Sequence, residues 1–150
     1  MTPLPHHYDF DLAGTAHGYA TLAGDNLPDL TVAPPPEYGG PGDAWSPEHL
    51  LLAAVSSCFL FTFRAVTIAA QVGVVEIEAH ASGTVDRTGG TTRFTDILLR
   101  VAVTAVPGAD RAAVQRAIDK TAARCLVSSS LSTPVRVEAT IHGCAAPAAA

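Results

Sequence analysis

Three cysteines, Cys58, Cys125 and Cys144, are the side chains of this sequence best suited to covalent chemistry. An odd and small number of cysteines is a poor basis for a disulfide framework. Taken singly, Cys58 and Cys125 are each interpreted as small buried hydrophobes, which is what most free cysteines are. As a pair they suggest redox chemistry. Peroxide reduction needs one thiolate to attack the O–O bond and a second thiol to resolve the resulting sulfenic acid.

Cys58 falls within a long helix whose start is well marked. In the run Ser46-Pro47-Glu48 the serine can cap, the proline suits the first helical position, and the glutamate lies where the helix dipole favours an anion. Residues Leu50–Ala70 are almost all apolar or small, and we expect the helix to end near Gly73. A helix that is apolar on all sides is buried or lies in a membrane. Arg64 within the run favours the buried interpretation.

The remaining pattern predicts strands and a second helix. Strands are predicted at His7–Leu12, Tyr19–Leu22, Leu30–Val32, Val74–Val85, Phe94–Val106 and Val135–Ile141. The helix begins after Asp110, and the spacing of Val114, Ala117, Ile118 and Thr121 puts Cys125 on its inward face. We therefore expect one α+β domain over residues 1–150 with an antiparallel sheet, tails at 1–5 and 145–150, and a core in which Cys58 and Cys125 can meet.

Composition narrows the class of protein. The chain has 150 residues, a formal net charge of -5, 48% hydrophobic residues and only 15% charged residues. With so few charged residues, a monomer would expose much apolar surface to water, so the composition favours an oligomer that buries an apolar face. The basic residues are few and scattered, which argues against nucleic-acid binding and against an anionic membrane partner. We expect no signal peptide and a cytoplasmic location. The histidines and cysteines lack metal-ligand spacing, so we expect no metal and no other cofactor.

Two stretches carry a resemblance to a known family. Residues 46–59, Ser-Pro-Glu-His-Leu-Leu-Leu-Ala-Ala-Val-Ser-Ser-Cys-Phe, resemble the helix signature of the OsmC/Ohr thiol peroxidases. In that family a Pro-Glu pair opens the helix, and the reactive cysteine follows ten residues after the glutamate. Residues 125–128, Cys-Leu-Val-Ser, resemble the second motif, which normally reads Cys-Pro-aromatic/Val-Ser and carries the resolving cysteine. The order of elements matches from about Tyr8 to His142.

The resemblance implies a fold, an activity and partners. It implies an intertwined homodimer in which sheets wrap around the long central helices. It implies an antioxidant peroxidase of the stress response that reduces organic hydroperoxides, with Cys58 attacking, Cys125 resolving and Glu48 orienting the cation that tunes the thiolate. The reductant would be a dithiol, which in the Ohr branch is a lipoyl group on a carrier protein. Phe59, Phe61 and Phe63 are expected in the core, where they would also line an apolar site for bulky peroxides.

Two departures from the family pattern bear on the chemistry. The family has an arginine in the N-terminal strands, whereas the first arginine here is Arg64. Without a cation we expect Cys58 to stay protonated, unless protonated His17 or His49 substitutes. The second departure is a leucine at position 126 where the family has proline, which we expect to extend the second helix and shift Cys125.

Two alternatives stay open. Ten residues of helix span about 15 Å, so Glu48 cannot touch Cys58 of its own helix. It is either a first-turn dipole residue or part of a site completed by a partner chain. For the whole protein, the alternative is an OsmC-like dimer without efficient peroxidase activity that binds a small apolar ligand or has a structural role. Cys144, beyond the last predicted strand, is interpreted as a bystander thiol.

Overall fold

The computed structural model describes residues 3–144, in which the predicted strands and helices follow one another in the predicted order, with a short helix before the last strand that the sequence did not predict. The strands are β1 (Asp11–Gly14), β2 (Ala20–Ala23), β3 (Leu30–Val32), β4 (Val74–Thr88), β5 (Thr91–Ala109) and β6 (Val135–Cys144). The helices are α1 (Pro47–Ala70), α2 (Arg111–Ala122) and α3 (Leu126–Ser129), with a 3₁₀ turn at Pro36–Tyr38. The chain divides into two compact units between Leu51 and Leu52. A single domain stays a prediction, and the predicted tail at 145–150 lies outside the described residues.

The first unit is a small antiparallel sheet followed by the start of α1. Its strand order is β1-β2-β3, and the backbone N–H of Ala33, just after β3, donates to the carbonyl of Trp45 at 3.0 Å. Ser46 is fully buried. Its hydroxyl accepts from the backbone N–H of His49 at 3.3 Å, and its carbonyl accepts from Leu50 at 3.0 Å. The predicted N-cap of α1 is therefore confirmed.

The second unit contains a larger sheet with strand order β4-β5-β6. Strands β4 and β5 form the predicted antiparallel hairpin. β6, however, pairs with β5 in parallel, with Ile97 opposite Val135 and Val103 opposite Ile141. The prediction of a wholly antiparallel sheet is wrong for this strand. Parallel neighbours need a long crossover connection, which residues 110–134 provide with α2 and α3.

The core of the second unit lies between its sheet and its helices. α1 contributes Phe59, Phe63 and Val66, and β5 contributes the alternating residues Leu99, Val101, Val103 and Ala105. α2 contributes Val114, Ala117 and Ile118. Phe59 and Phe63 are each 1% exposed, and their rings stack with centroids 6.3 Å apart. One face of α1 is thus fixed against the sheet.

The opposite face of α1 is exposed and apolar. Phe61 and Ile68 are 61% and 78% exposed, and Arg64 lies over the Phe61 ring at 5.7 Å. By length and composition α1 is long and apolar enough to cross a membrane, a test that core helices of soluble proteins also pass. Because Phe61 lies on the other side of the helix from Phe59 and Phe63, the three rings do not form the cluster that their alternation suggested.

The end of α2 differs from the sequence prediction. α2 ends at Ala122 and is not extended by Leu126. Cys125 has extended backbone angles, φ -65 and ψ 112, and is the N-cap of the short helix α3 rather than a residue on the α2 face. Cys144 was predicted to lie beyond the last strand, but it is the last residue of β6, paired with Ala109 and half-buried against the core.

Candidate active site

Cys58 and Cys125 are brought together by the packing of α1 against the α2–α3 connection. Cys58 lies in the fourth turn of α1 and is half-buried, whereas Cys125 is fully buried, and both are free thiols. The Cys125 thiol donates a hydrogen bond to the Cys58 sulfur. The structure therefore places next to each other the two thiols that peroxide reduction and disulfide formation require.

The surroundings of Cys58 favour its thiolate. Burial acts to raise the pKa of the Cys58 thiol, but four hydrogen bonds outweigh it, so the pKa lies below its ordinary value. In decreasing order of effect, they come from the backbone N–H of Val127, the thiol of Cys125, the hydroxyl of Thr62 and the backbone N–H of Leu126. Leu126 and Val127 are the first residues of α3, whose N–H groups have no acceptor within their own helix. They are thus available to the Cys58 sulfur.

Cys125 has the opposite tendency. Burial raises the pKa of the Cys125 thiol, and the neighbouring Cys58 sulfur raises it further. The hydroxyl of Ser128, whose Oγ lies 3.3 Å from Cys125 Sγ, acts to lower it, as does the Ser128 backbone N–H. The result is a raised pKa. The two pKa values are thus shifted in opposite directions, and Cys58 is the thiol of the pair that loses its proton more readily.

The pKa of Cys58 is lowered without a cation, while its protonation state at neutral pH stays a prediction. Within the described part of the chain, the groups that lower the pKa of Cys58 are all neutral donors. A thiolate is stabilised by hydrogen bonds to its charged form as well as by a nearby charge. The missing N-terminal arginine therefore does not leave the sulfur without stabilisation.

The other predicted site residues belong to the first unit. Glu48 is half-buried in the first turn of α1, and its Oε2 is buried without a hydrogen-bond partner among the described residues. The Nδ1 atom of His49 lies 3.0 Å from Ser46 Oγ and accepts from the Ser46 backbone N–H at 3.4 Å, so this ring serves the N-cap. His17 is exposed between β1 and β2, and its carbonyl accepts from the hydroxyl of Thr15. None of the three is among the groups that shift the pKa of Cys58.

The three phenylalanines have different surroundings. Phe59 and Phe63 are closed into the core, while Phe61 is exposed. Phe63 also lines a cleft of about 650 Å³ between the end of α1 and the start of β4. A role for these rings in binding a substrate stays a prediction.

Sequence reasoning missed Thr62, Ser128 and the N–H groups of Leu126 and Val127. The positions of the two hydroxyl residues carried a signal. Thr62 follows Cys58 by four residues on one helix and therefore lies above it on the same face. Ser128 follows an N-cap cysteine by three residues, the spacing of a capping interaction. The N–H groups had no comparable signal, because their use depends on where α3 begins.

The sequence matches proteins of one family. The family model described as OsmC-like protein matches residues 40–140. The organic hydroperoxide resistance protein of Xanthomonas axonopodis is 29% identical over 138 residues, which cover 85% of this chain and 93% of that protein. The uncharacterized protein YmaD of Bacillus subtilis is 23% identical over 128 residues, which cover 83% of this chain and 85% of that protein.

Solved structures show the same fold. An OsmC-like protein from Mycoplasma pneumoniae superimposes with a TM-score of 0.78 at 18% identity, covering 93% of this chain and 99% of the other. An organic hydroperoxide resistance protein from Elizabethkingia anophelis superimposes with a TM-score of 0.72 at 20% identity, again covering 93% and 99%. With the matched motifs and the paired cysteines, these likenesses lead to one conclusion: the chain belongs to the OsmC-like protein family.

Proposed function

We propose that this protein is a thiol-dependent peroxidase that reduces organic hydroperoxides, with Cys58 as the attacking thiolate and Cys125 as the resolving thiol. The observation that carries the proposal is the pair of hydrogen-bonded thiols whose pKa values are shifted in opposite directions. The relative named for organic hydroperoxide resistance supports the class of substrate.

The reaction balances with one peroxide and one dithiol. The Cys58 thiolate attacks the distal oxygen of ROOH, the O–O bond breaks, and the alkoxide takes a proton to leave as ROH. Cys58 becomes a sulfenic acid. The Cys125 sulfur then attacks the Cys58 sulfur, an S–S bond forms, the S–O bond breaks, and water leaves with the Cys125 proton. An external dithiol, such as a protein-bound lipoyl group, reduces the disulfide by thiol–disulfide exchange.

Two further features belong to the proposal. The exposed apolar face of α1, with Phe61 and Ile68, supports a homodimer built on the central helices. In such a dimer the partnerless carboxylate oxygen of Glu48 would find its donor in the partner chain. A catalytic cycle that needs reduced thiols fits a reducing cytoplasm.

The test is consumption of cumene hydroperoxide by the purified, prereduced protein supplied with dihydrolipoamide. We expect turnover in the wild type, none in Cys58→Ser, and a single stoichiometric turnover without disulfide in Cys125→Ser. Cys144→Ser is the matched control, because Cys144 is not among the groups that act on Cys58 or Cys125, and it should retain full turnover.

One outcome would refute the proposal. If the wild type consumes no more peroxide than Cys58→Ser, the protein is not a peroxidase. A ligand-binding or structural role, which the missing early arginine favours, then replaces it. Equilibrium sedimentation of the same samples tests the dimer, and Phe61→Glu should dissociate it.

A further inference from the structure

The hydrogen bonds around Cys125 form a directed chain. Cys125 is 0% exposed, so its sulfur has little access to water. Ser128 Oγ donates to Cys125 Sγ at 3.3 Å, and the Cys125 thiol in turn donates to the Cys58 sulfur. A hydroxyl carries a single proton, as does a thiol. Once the Ser128 proton is directed at Cys125, the Cys125 proton is left for Cys58.

We propose that Ser128 is a positioning residue for both half-reactions, holding the Cys125 thiol so that it donates to the Cys58 thiolate before peroxide arrives and attacks the Cys58 sulfenic acid afterwards. The assignment rests on the proposed peroxidase function. Ser128 is not among the groups that act on the Cys58 sulfur, so its effect on Cys58 passes through Cys125.

The burial of Cys125 explains why such a residue is needed. A thiol buried away from water favours its neutral form, yet in the resolving step Cys125 must give up its proton while its sulfur forms a bond to Cys58. A hydroxyl that donates to the sulfur stabilises the negative charge that develops there. In the resting state the same bond polarises the thiol and strengthens its hydrogen bond to Cys58.

The neighbouring serines provide a matched comparison. Ser128, Ser129 and Ser130 are consecutive. Of these three serines, Ser128 is the one whose hydroxyl contacts a sulfur in the described part of the chain. The hydroxyl of Ser130 donates instead to the backbone carbonyl of Leu126 at 2.9 Å. The substitution Ser130→Ala therefore removes one hydrogen bond from the end of α3 but none that involves Cys58 or Cys125.

The experiment compares Ser128→Ala, Ser128→Thr and Ser130→Ala with the wild type, each prereduced and in the full chain. The first measurement is the pH dependence of iodoacetamide alkylation at Cys58, resolved by mass spectrometry. The second is the rate of disulfide formation after one equivalent of cumene hydroperoxide, with dimedone as the trap for sulfenic acid. A hydrogen bond worth about 1 kcal/mol corresponds to roughly fivefold in rate.

We expect Ser128→Ala to form the disulfide roughly fivefold more slowly, to accumulate the dimedone adduct, and to shift the Cys58 alkylation profile to higher pH. Ser128→Thr, which keeps the hydroxyl, should restore both readouts, and Ser130→Ala should match the wild type. A merely structural role would change Ser128→Ala and Ser130→Ala alike, and thermal unfolding of each variant checks that they are folded. Equal changes in Ser128→Ala and Ser130→Ala overturn the inference, and so does a Ser128→Ala alkylation profile identical to that of the wild type.

The peroxidase function and the positioning role of Ser128 can be refuted independently of each other. If peroxide leaves Cys58 unmodified in every variant, the peroxidase function fails and with it the role of Ser128 in resolution. The alkylation profile still decides whether Ser128 acts on Cys58 through Cys125. If peroxide oxidises Cys58 but Ser128→Ala resolves as fast as the wild type, the peroxidase stands and the role of Ser128 is wrong.

Discussion

Replacing Leu126 by proline separates the stability of the site from its reactivity. Leu126 is the first residue of α3, its side chain is 72% exposed, and the preceding residue, Cys125, already has the extended backbone that proline requires of its predecessor. Proline is favoured at the first position of a helix because the N–H there has no partner within the helix. The backbone of this protein is therefore compatible with proline at position 126.

The expected gain in stability follows from the unfolded chain. A proline that fits its site restricts the unfolded state and stabilises a protein by about 0.4–1 kcal/mol. For a chain of this size each kcal/mol moves the midpoint of thermal unfolding by about 2–4 °C. Proline also removes the hydrogen bond of about 1 kcal/mol from the Leu126 N–H to Cys58, which offsets this gain. We therefore expect Leu126→Pro to change the unfolding midpoint by no more than about 3 °C.

The reactivity of Cys58 should change in the unfavourable direction. The N–H of Leu126 is one of the donors that lower the pKa of Cys58, and proline has no N–H. A hydrogen bond to a charged group is worth about 1.5–3 kcal/mol, and we take about 1 kcal/mol because sulfur is a weak acceptor and this donor has the smallest effect of the four. The rate of Cys58 alkylation below the pH at which it saturates should then fall roughly fivefold.

The assay measures iodoacetamide alkylation of Cys58 against pH together with thermal unfolding. Leu126→Ala is the matched control, since it removes the exposed side chain but keeps the N–H, and it should alkylate like the wild type. If Leu126→Pro and Leu126→Ala alkylate at equal rates at every pH, the N–H of Leu126 does not stabilise the thiolate. A loss of stability well beyond the about 1 kcal/mol of that hydrogen bond would show that Cys125 does not have the extended backbone described above.

Three other perturbations test the structure more briefly. Thr62→Val should slow Cys58 alkylation at neutral pH because a donor to the sulfur is lost, whereas Ser57→Ala should not, since that hydroxyl bonds to a backbone carbonyl of its own helix. In the wild type, the lowered pKa of Cys58 predicts that its alkylation saturates at a lower pH than in the unfolded protein. The raised pKa of Cys125 predicts that its alkylation saturates at a higher pH than in the unfolded protein. Equal profiles for the two thiols would contradict the opposite shifts. Leu99→Ala, at a site that is 0% exposed on the central strand β5, should cost about 2–5 kcal/mol of unfolding free energy in urea titrations, and a loss below 1 kcal/mol would mean that β5 is not the centre of the core.

Local patterns in the sequence accounted for the elements that hold the site. Ser46-Pro47-Glu48 defined the start of α1, and the alternation in β4 and β5 defined the hairpin, because caps and period-2 patterns depend on neighbouring residues alone. The parallel pairing of β6 had no local signal, since an alternating strand has the same pattern whichever direction its neighbour runs. The helical period alone separates Phe61 from Phe59 and Phe63, but which of the two faces is buried depended on how the helix packs against the sheet.

The chemistry of Cys58 shows the same division at the level of single atoms. The sequence by itself placed two cysteines in an apolar core, correctly put Cys58 on a helix, and showed that no arginine precedes Arg64. From this it followed that the thiol has no charged partner within the preceding residues, and protonation seemed the consequence. Only the tertiary structure decided which donors surround the sulfur and so lower its pKa. Ending α2 at Ala122 and beginning α3 after Cys125 turns the free N–H groups of Leu126 and Val127 toward a sulfur nearly seventy residues earlier in the chain. A thiolate responds to every donor within hydrogen-bonding distance, and that distance is set by packing between segments far apart in the sequence.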